Sequence, residues 1–190
     1  VNELVSVTDE FASNSSPVVV AGITRSGLTV TMQMLSAGGF PCAGSWPDFE
    51  PFDIGCVPWS RVVGSAIKLV DAHRQLPPEN MACRVVLLHR SRSEQVKSIR
   101  KFLRTMGVVV NRGESALLRQ SLTKDYAKIN SWVKQHRVLH LHFENIISRP
   151  EYAASQLSAF VGAPLDEAAM AGVVVRRTPR CLPEMLEVTA

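Results

Sequence analysis

Apolar residues follow two rhythms along this chain. Short runs that are almost wholly apolar alternate with longer stretches in which apolar positions recur every three or four residues. Pro17–Gly22 (PVVVAG) is the first run, β-branched and closed by a glycine, and predicts a buried strand. Ser65–Val70, Arg84–His89 (RVVLLH) and Arg137–Phe143 (RVLHLHF) predict three more. Ser26–Ala37 predicts a helix stopped by Gly38-Gly39. Ser93–Met106 predicts a second, with Val96, Ile99, Phe102 and Met106 on one stripe. Ser115–His136 predicts a third, carrying Leu118, Leu122, Tyr126, Ile129 and Val133. Pro150 opens a last helical region through Val161. Trp132 and Phe102 are most simply core. Strands apolar on both faces, separated by helices, imply an α/β fold with a mostly parallel central sheet. Such sheets bind ligands at the carboxyl ends of their strands.

Two stretches break the rhythm. Gly38–Pro58 is rich in glycine and proline and holds Phe40, Trp46 and Phe49 beside Asp48, Glu50 and Asp53; Leu76–Asn80 is a short connector. No repeat or low-complexity tract is present. At 190 residues, 46% apolar and 20% charged, the expectation is a single domain over 1–190, with 1–16 as a peripheral segment and 181–190 as a loose tail. No apolar run approaches the roughly 20 residues of a membrane-spanning helix. The first residues carry acids and no basic flank, unlike a signal peptide. The expectation is a cytoplasmic protein with no membrane partner; oligomeric state is left open.

The net charge of +4 is too small to argue for nucleic acid, and few aromatics interleave with the basic residues. Arg100, Lys101 and Arg104 read as a solvated helix face. A small anionic ligand suits the charge if the cations converge. Cys42, Cys56, Cys83 and Cys181 form no C-x-x-C pair and read as idle thiols, not zinc ligands. His140 and His142 share one face of a strand and read as hydrogen-bonded structural histidines.

Chemistry concentrates at Gly22-Ile23-Thr24-Arg25-Ser26-Gly27-Leu28-Thr29, between the first strand and the first helix. Two glycines separated by four residues, with a hydroxyl two positions on, fit the spacing of a phosphate loop. Such a turn aims backbone N–H groups inward, and the following helix adds its positive end. The lysine expected after the second glycine is Leu28; a cation appears at Arg25 instead. A second cationic station follows the third strand, where Arg90 ends the run and Ser98 lies eight residues on. A strand-terminal acid for magnesium is not supplied cleanly. Asp71 comes closest, but Lys68 interrupts the run before it.

Together these segments resemble the sulfotransferase family. The loop at Gly22–Thr29 is similar to its 5′-phosphosulfate loop, and Arg90 with Ser98 to its 3′-phosphate station. Phe143-Glu144-Asn145 through Pro150 is similar to its Tyr-Glu-Asp…Pro block. The stretch from Phe160 to Arg180 resembles a small bacterial-type branch of the family. The resemblance implies a three-layer fold like that of phosphate-loop nucleoside triphosphatases. It implies 3′-phosphoadenosine 5′-phosphosulfate as donor, adenosine 3′,5′-bisphosphate as product, a small-molecule or glycan-type acceptor and no metal. The donor would be held by Arg25, Ser26, Gly27, Leu28, Thr29, Arg90, Ser98 and Phe143. Arg25 would neutralise charge on the leaving phosphate oxygen, and Lys68 would assist at the sulfuryl group. Glu50, in a Pro-x-x-Glu resembling the small branch, is the first candidate for general base; His73 and Asp71 come next. Leu28 departs from the family's threonine and Phe143 from its tyrosine. The competing readings are a phosphate-loop kinase or hydrolase and a non-catalytic nucleotide-binding protein of the same fold.

Overall fold

The computed structural model describes residues 16–50, 57, 59–78 and 80–181. Four strands form one sheet: β1 (Val18–Gly22), β2 (Ala66–Val70), β3 (Arg84–His89) and β4 (Arg137–His142). Their order is β2-β1-β3-β4, and every pairing among the described residues is parallel. β1 and β3 are central, which explains why their runs are the most uniformly apolar.

Alternate side chains build two separate cores. Val18, Val20, Val86, Leu88 and Leu141 pack on one face against helices α1 (Leu28–Ala37), α4 (Phe143–Ser148), α5 (Pro150–Val161) and α6 (Glu167–Gly172). Val19, Ala21, Ile67, Leu69, Val85 and Leu87 pack on the other against α2 (Arg92–Thr105) and α3 (Arg112–Val133). The result is three layers, helix–sheet–helix, as expected. Asn111 and Glu114 form a reciprocal capping box that starts α3 three residues before Ser115. α1 begins at Leu28, not Ser26, because residues 23–27 are used in the turn. Phe143, expected in a strand, opens the six-residue α4.

Two basic residues of the sheet are buried. Arg84, 5% exposed, donates through Nη1 and Nη2 to the carbonyls of Val161 (2.5 Å) and Ser16 (3.0 Å), tying β3 to the end of α5. Lys68 is likewise buried on β2, on the α1 face. Burial pushes the thiols of Cys42 and Cys83 up to about 12, so both stay protonated and inert at neutral pH. Cys56 lies outside the described residues, as do the segments 1–15 and 182–190.

Candidate functional site

The turn after β1 is built for close approach. Gly27 has φ +105, and a Cβ there would stand 2.8 Å from Cδ2 of Phe143, so the position tolerates only glycine on both counts. Gly22 is constrained by its partner in the turn, since a Cβ would meet Ser26 Oγ at 2.6 Å. Asp71 Oδ1, at the end of β2, accepts from Thr24 N at 3.0 Å. Gln95 of α2 donates to the Thr24 carbonyl at 3.0 Å. The loop is thus pinned from both sides. Gly27 gives α1 no side-chain cap, and the first N–H groups of a helix have no intrahelical acceptor. The N-terminus of α1 therefore faces the loop mouth as a cluster of donors at the helix's positive end.

Arg25 takes a left-handed conformation, φ 65, and its side chain leaves the loop. Its Nε donates to Ser98 Oγ at 3.1 Å, and its guanidinium lies 5.7 Å from the Phe102 ring centroid. Arg90, 3% exposed, donates from Nη1 to the Arg25 carbonyl at 3.0 Å and stacks 4.1 Å from the centroid of Phe143. Arg25, Arg90, Ser98 and Phe143 thus form one station on the β3 side of the loop. The guanidinium of Arg25, expected at the leaving oxygen, meets Ser98 and Phe102 of α2.

The other station lies on the β2 side. Lys68 Nζ pairs with Glu50 Oε1 at 2.5 Å, donates to the Asp48 carbonyl and reaches Thr29 Oγ1 at 3.4 Å. Lys68 is 2% exposed in its side chain and Glu50 65%. The cation is therefore fixed and the carboxylate is open to solvent. The side chain of Leu28 points into the core, leaving only its backbone for a ligand. Ser26 is fully buried beneath the turn, which also limits it to its backbone. His73 stands apart, with Nε2 3.7 Å from Asp125 of α3 and 3.3 Å from Arg74 Nε. It shares no described contact with Lys68, Glu50 or the loop.

One residue escaped the sequence reading. Arg177 lies 5.6 Å from the Phe143 ring centroid, so this ring carries contacts from two arginines. The segment bearing Arg177 is anchored at Cys181, whose N–H donates to Glu94 Oε2 at 2.7 Å. The available signal was the pair Arg176-Arg177 after an apolar run. Beside this station is a depression of about 500 Å³ lined by Ser91, His142, Glu144 and Asn145. Glu144 closes one side by accepting from Ser91 N at 2.8 Å.

His140 and His142 do share a face, and both stack on His89, with ring centroids 5.2 Å apart in each pair. His89 Nε2 and His140 Nδ1 are 2.9 Å apart. Burial first, then the neighbouring His140, His142 and Arg92, push His89 down to about 4. An unfolded histidine titrates near 6.5. As pH falls from about 6.5, the unfolded chain takes up this proton first, so stability drops until about pH 4 and then levels. The expected loss from this one group, reduced by its partial exposure to water, is about 1–2 kcal/mol. Urea unfolding at several pH values should show it, and His89→Gln should remove that part of the slope.

No protein-family model matches the chain, and no curated protein matches it. Among solved structures it is similar to mouse sulfotransferase SULT7A1 complexed with PAP, with a TM-score of 0.60. The fold is the sulfotransferase fold. The match covers 85% of this chain and 63% of the mouse protein at 14% identity, so the likeness is one of backbone architecture. Within a sulfotransferase fold, the turn 22–29 and the end of β3 lie at the same sheet edge, on neighbouring strands. Among the described residues, no helix is long and apolar enough to cross a membrane.

Proposed function

We propose that this chain binds 3′-phosphoadenosine 5′-phosphosulfate and transfers its sulfuryl group to a hydroxyl or amine acceptor. The observation that carries the reading is a pair of cationic stations flanking one glycine turn: Lys68 with Thr29 on the β2 side, and Arg25, Arg90 and Ser98 on the β3 side. A nucleotide with anions at both ends of its adenosine needs two such grips. The donor set fits it: guanidinium forks for a terminal phosphate, and a helix N-terminus with a hydroxyl and an ammonium for the phosphosulfate.

In this reading the station at Arg25, Arg90 and Ser98 holds the 3′-phosphate. Phe143, whose face already packs against guanidinium groups, lines the same station. Thr29 and the N–H groups of α1 hold the 5′-phosphate. Lys68 stabilises negative charge on the bridging oxygen as the sulfur–oxygen bond to phosphate breaks. Glu50, exposed beside Lys68, takes the acceptor's proton as the new bond to sulfur forms. Glu50 is preferred to His73 because its carboxylate pairs with Lys68, whereas the imidazole of His73 faces Asp125. This assignment moves Arg25 from the leaving oxygen to the 3′-phosphate, following its contact with Ser98.

The test is transfer of labelled sulfuryl from the donor across a panel of alcohols and amines. Glu50→Gln is expected to lower the transfer rate roughly 10²–10⁴-fold with unchanged affinity for adenosine 3′,5′-bisphosphate. Full activity of that variant removes Glu50 as the base. Bisphosphate binding with no transfer to any acceptor would favour a non-catalytic binding protein.

A further inference from the structure

The helical hairpin formed by α2 and α3 stands out from the rest of the molecule. Tyr126 of α3 donates to the carbonyl of Leu88, near the carboxyl end of β3, at 3.2 Å. α3 then runs down to Val133 and feeds β4 at the opposite edge of the sheet. The half of α3 before Tyr126 therefore projects past the carboxyl edge, with Arg112 about 21 Å beyond it at 1.5 Å per residue. The tip of this projection is apolar and uncovered: Met106 is 64% exposed, Val108 48% and Val109 77%, with Leu117 66% exposed on the first turns of α3. Isolated exposed apolar residues are ordinary, but Met106, Val108 and Val109 fall within four consecutive positions of one exposed turn.

Just behind the tip lies a cleft of about 610 Å³ between the two helices, lined by Arg100, Arg112 and Arg119 with Ser115, Gln120 and Thr123. Among the described residues none of these three guanidinium groups has a carboxylate partner. From Lys97 to Lys124 the chain carries seven Lys and Arg and a single acid, Glu114. That acid is committed to the Asn111 capping box. The hairpin thus holds a net +6 where the whole chain holds +4. Arg100 and Arg119 lie about 9–10 Å along their helices from the tip.

We infer that this hairpin docks the protein on an anionic lipid bilayer, with Met106, Val108 and Val109 entering the interface and the arginines holding headgroup phosphates. The depth relation is what selects this partner. Interfacial elements bury apolar groups about 5–10 Å into the headgroup boundary, and that sets Arg100 and Arg119 at the phosphate level, with Arg112 at the rim of the tip. A nucleic acid would explain the cations and leave the apolar tip without a role. The inference departs from the sequence expectation of no membrane partner, and from Arg100 and Arg104 as a merely solvated face. It does not depend on the proposed sulfuryl chemistry.

The experiment is co-sedimentation of the full chain with vesicles of phosphatidylcholine alone, or with about one-third phosphatidylglycerol, at low salt and at about 0.5 M salt. Binding is expected only to the anionic vesicles and to weaken with salt. Arg112→Glu with Arg119→Glu should weaken it by roughly 30-fold or more, and Val109→Asp by at least about tenfold. Val109, Arg112 and Arg119 are all exposed, and circular dichroism and thermal unfolding of each variant check that the fold is kept. Equal binding to neutral and anionic vesicles, or none to either, overturns the inference. So does anionic binding that Val109→Asp leaves intact and that duplex DNA or heparin abolishes, which would mark a general polyanion surface.

Discussion

Replacing Lys68 by methionine is expected to cut sulfuryl transfer by about 10²–10³-fold, the usual cost of removing one preorganised charge from a transition state. Methionine suits the test because it keeps the buried aliphatic stem and its packing on β2. Removing one partner of a buried ion pair ordinarily strands the other charge, but here Glu50 is mostly exposed and simply returns to water. Little stability should therefore be lost, and thermal unfolding should stay within a few degrees of the parent. Affinity for adenosine 3′,5′-bisphosphate, which lacks the sulfuryl group, should fall much less than turnover. A variant that transfers sulfuryl at the parental rate would remove Lys68 from the chemistry.

Replacing Arg90 by alanine should act on the other side of the same account. This side chain is buried, donates to the Arg25 carbonyl and packs its guanidinium on Phe143. The variant loses the fork expected to hold a phosphate, the hydrogen bond that fixes Arg25 and the ring contact. Charge-assisted hydrogen bonds contribute roughly 1.5–3 kcal/mol each, so affinity for the bisphosphate should fall by at least about tenfold and toward about a hundredfold. The folded protein also loses packing, and the melting temperature should drop by about 5 °C. Arg90→Lys separates the two effects. It keeps a cation against Phe143 but cannot present two parallel N–H groups, so it should recover more stability than affinity. Equal recovery of both would mean that Arg90 is structural only.

The sheet was readable because each strand is a short apolar run bounded by turn residues, and β1 and β3, buried on both faces, carry the strongest runs. Helix starts were less readable. The Asn111–Glu114 capping box was visible as Asn-x-x-Glu, yet the apolar stripe drew the start of α3 to Ser115. α4 is six residues long, and its Ile146-Ile147 pair carries no helical period to detect. Buried charges were hidden for a different reason. Nothing local to Arg84 says that its guanidinium will find the carbonyls of Val161 and Ser16, since those partners arrive from distant segments.

At the site, spacing revealed which residues would assemble but not where their side chains point. Gly22, Gly27, Arg90 and Ser98 were placed by pattern. The turn of Arg25 onto Ser98 depends on a single left-handed backbone angle that no spacing encodes. The pairing of Glu50 with Lys68 depends on how the segment after α1 folds back over β2, a contact 18 positions apart in sequence. His73 lies near Lys68 in sequence, but β2 ends between them and the chain turns at Asp71, whose φ is 53. That turn delivers the imidazole to Asp125 of α3 instead.

The most direct measurement is a calorimetric titration of the chain with adenosine 3′,5′-bisphosphate and, separately, with ATP, each with and without magnesium. Two cationic stations built for a nucleotide charged at both ends predict tight bisphosphate binding that needs no metal, with ATP much weaker under either condition. Tight, magnesium-dependent binding of ATP with little response to the bisphosphate would contradict the account.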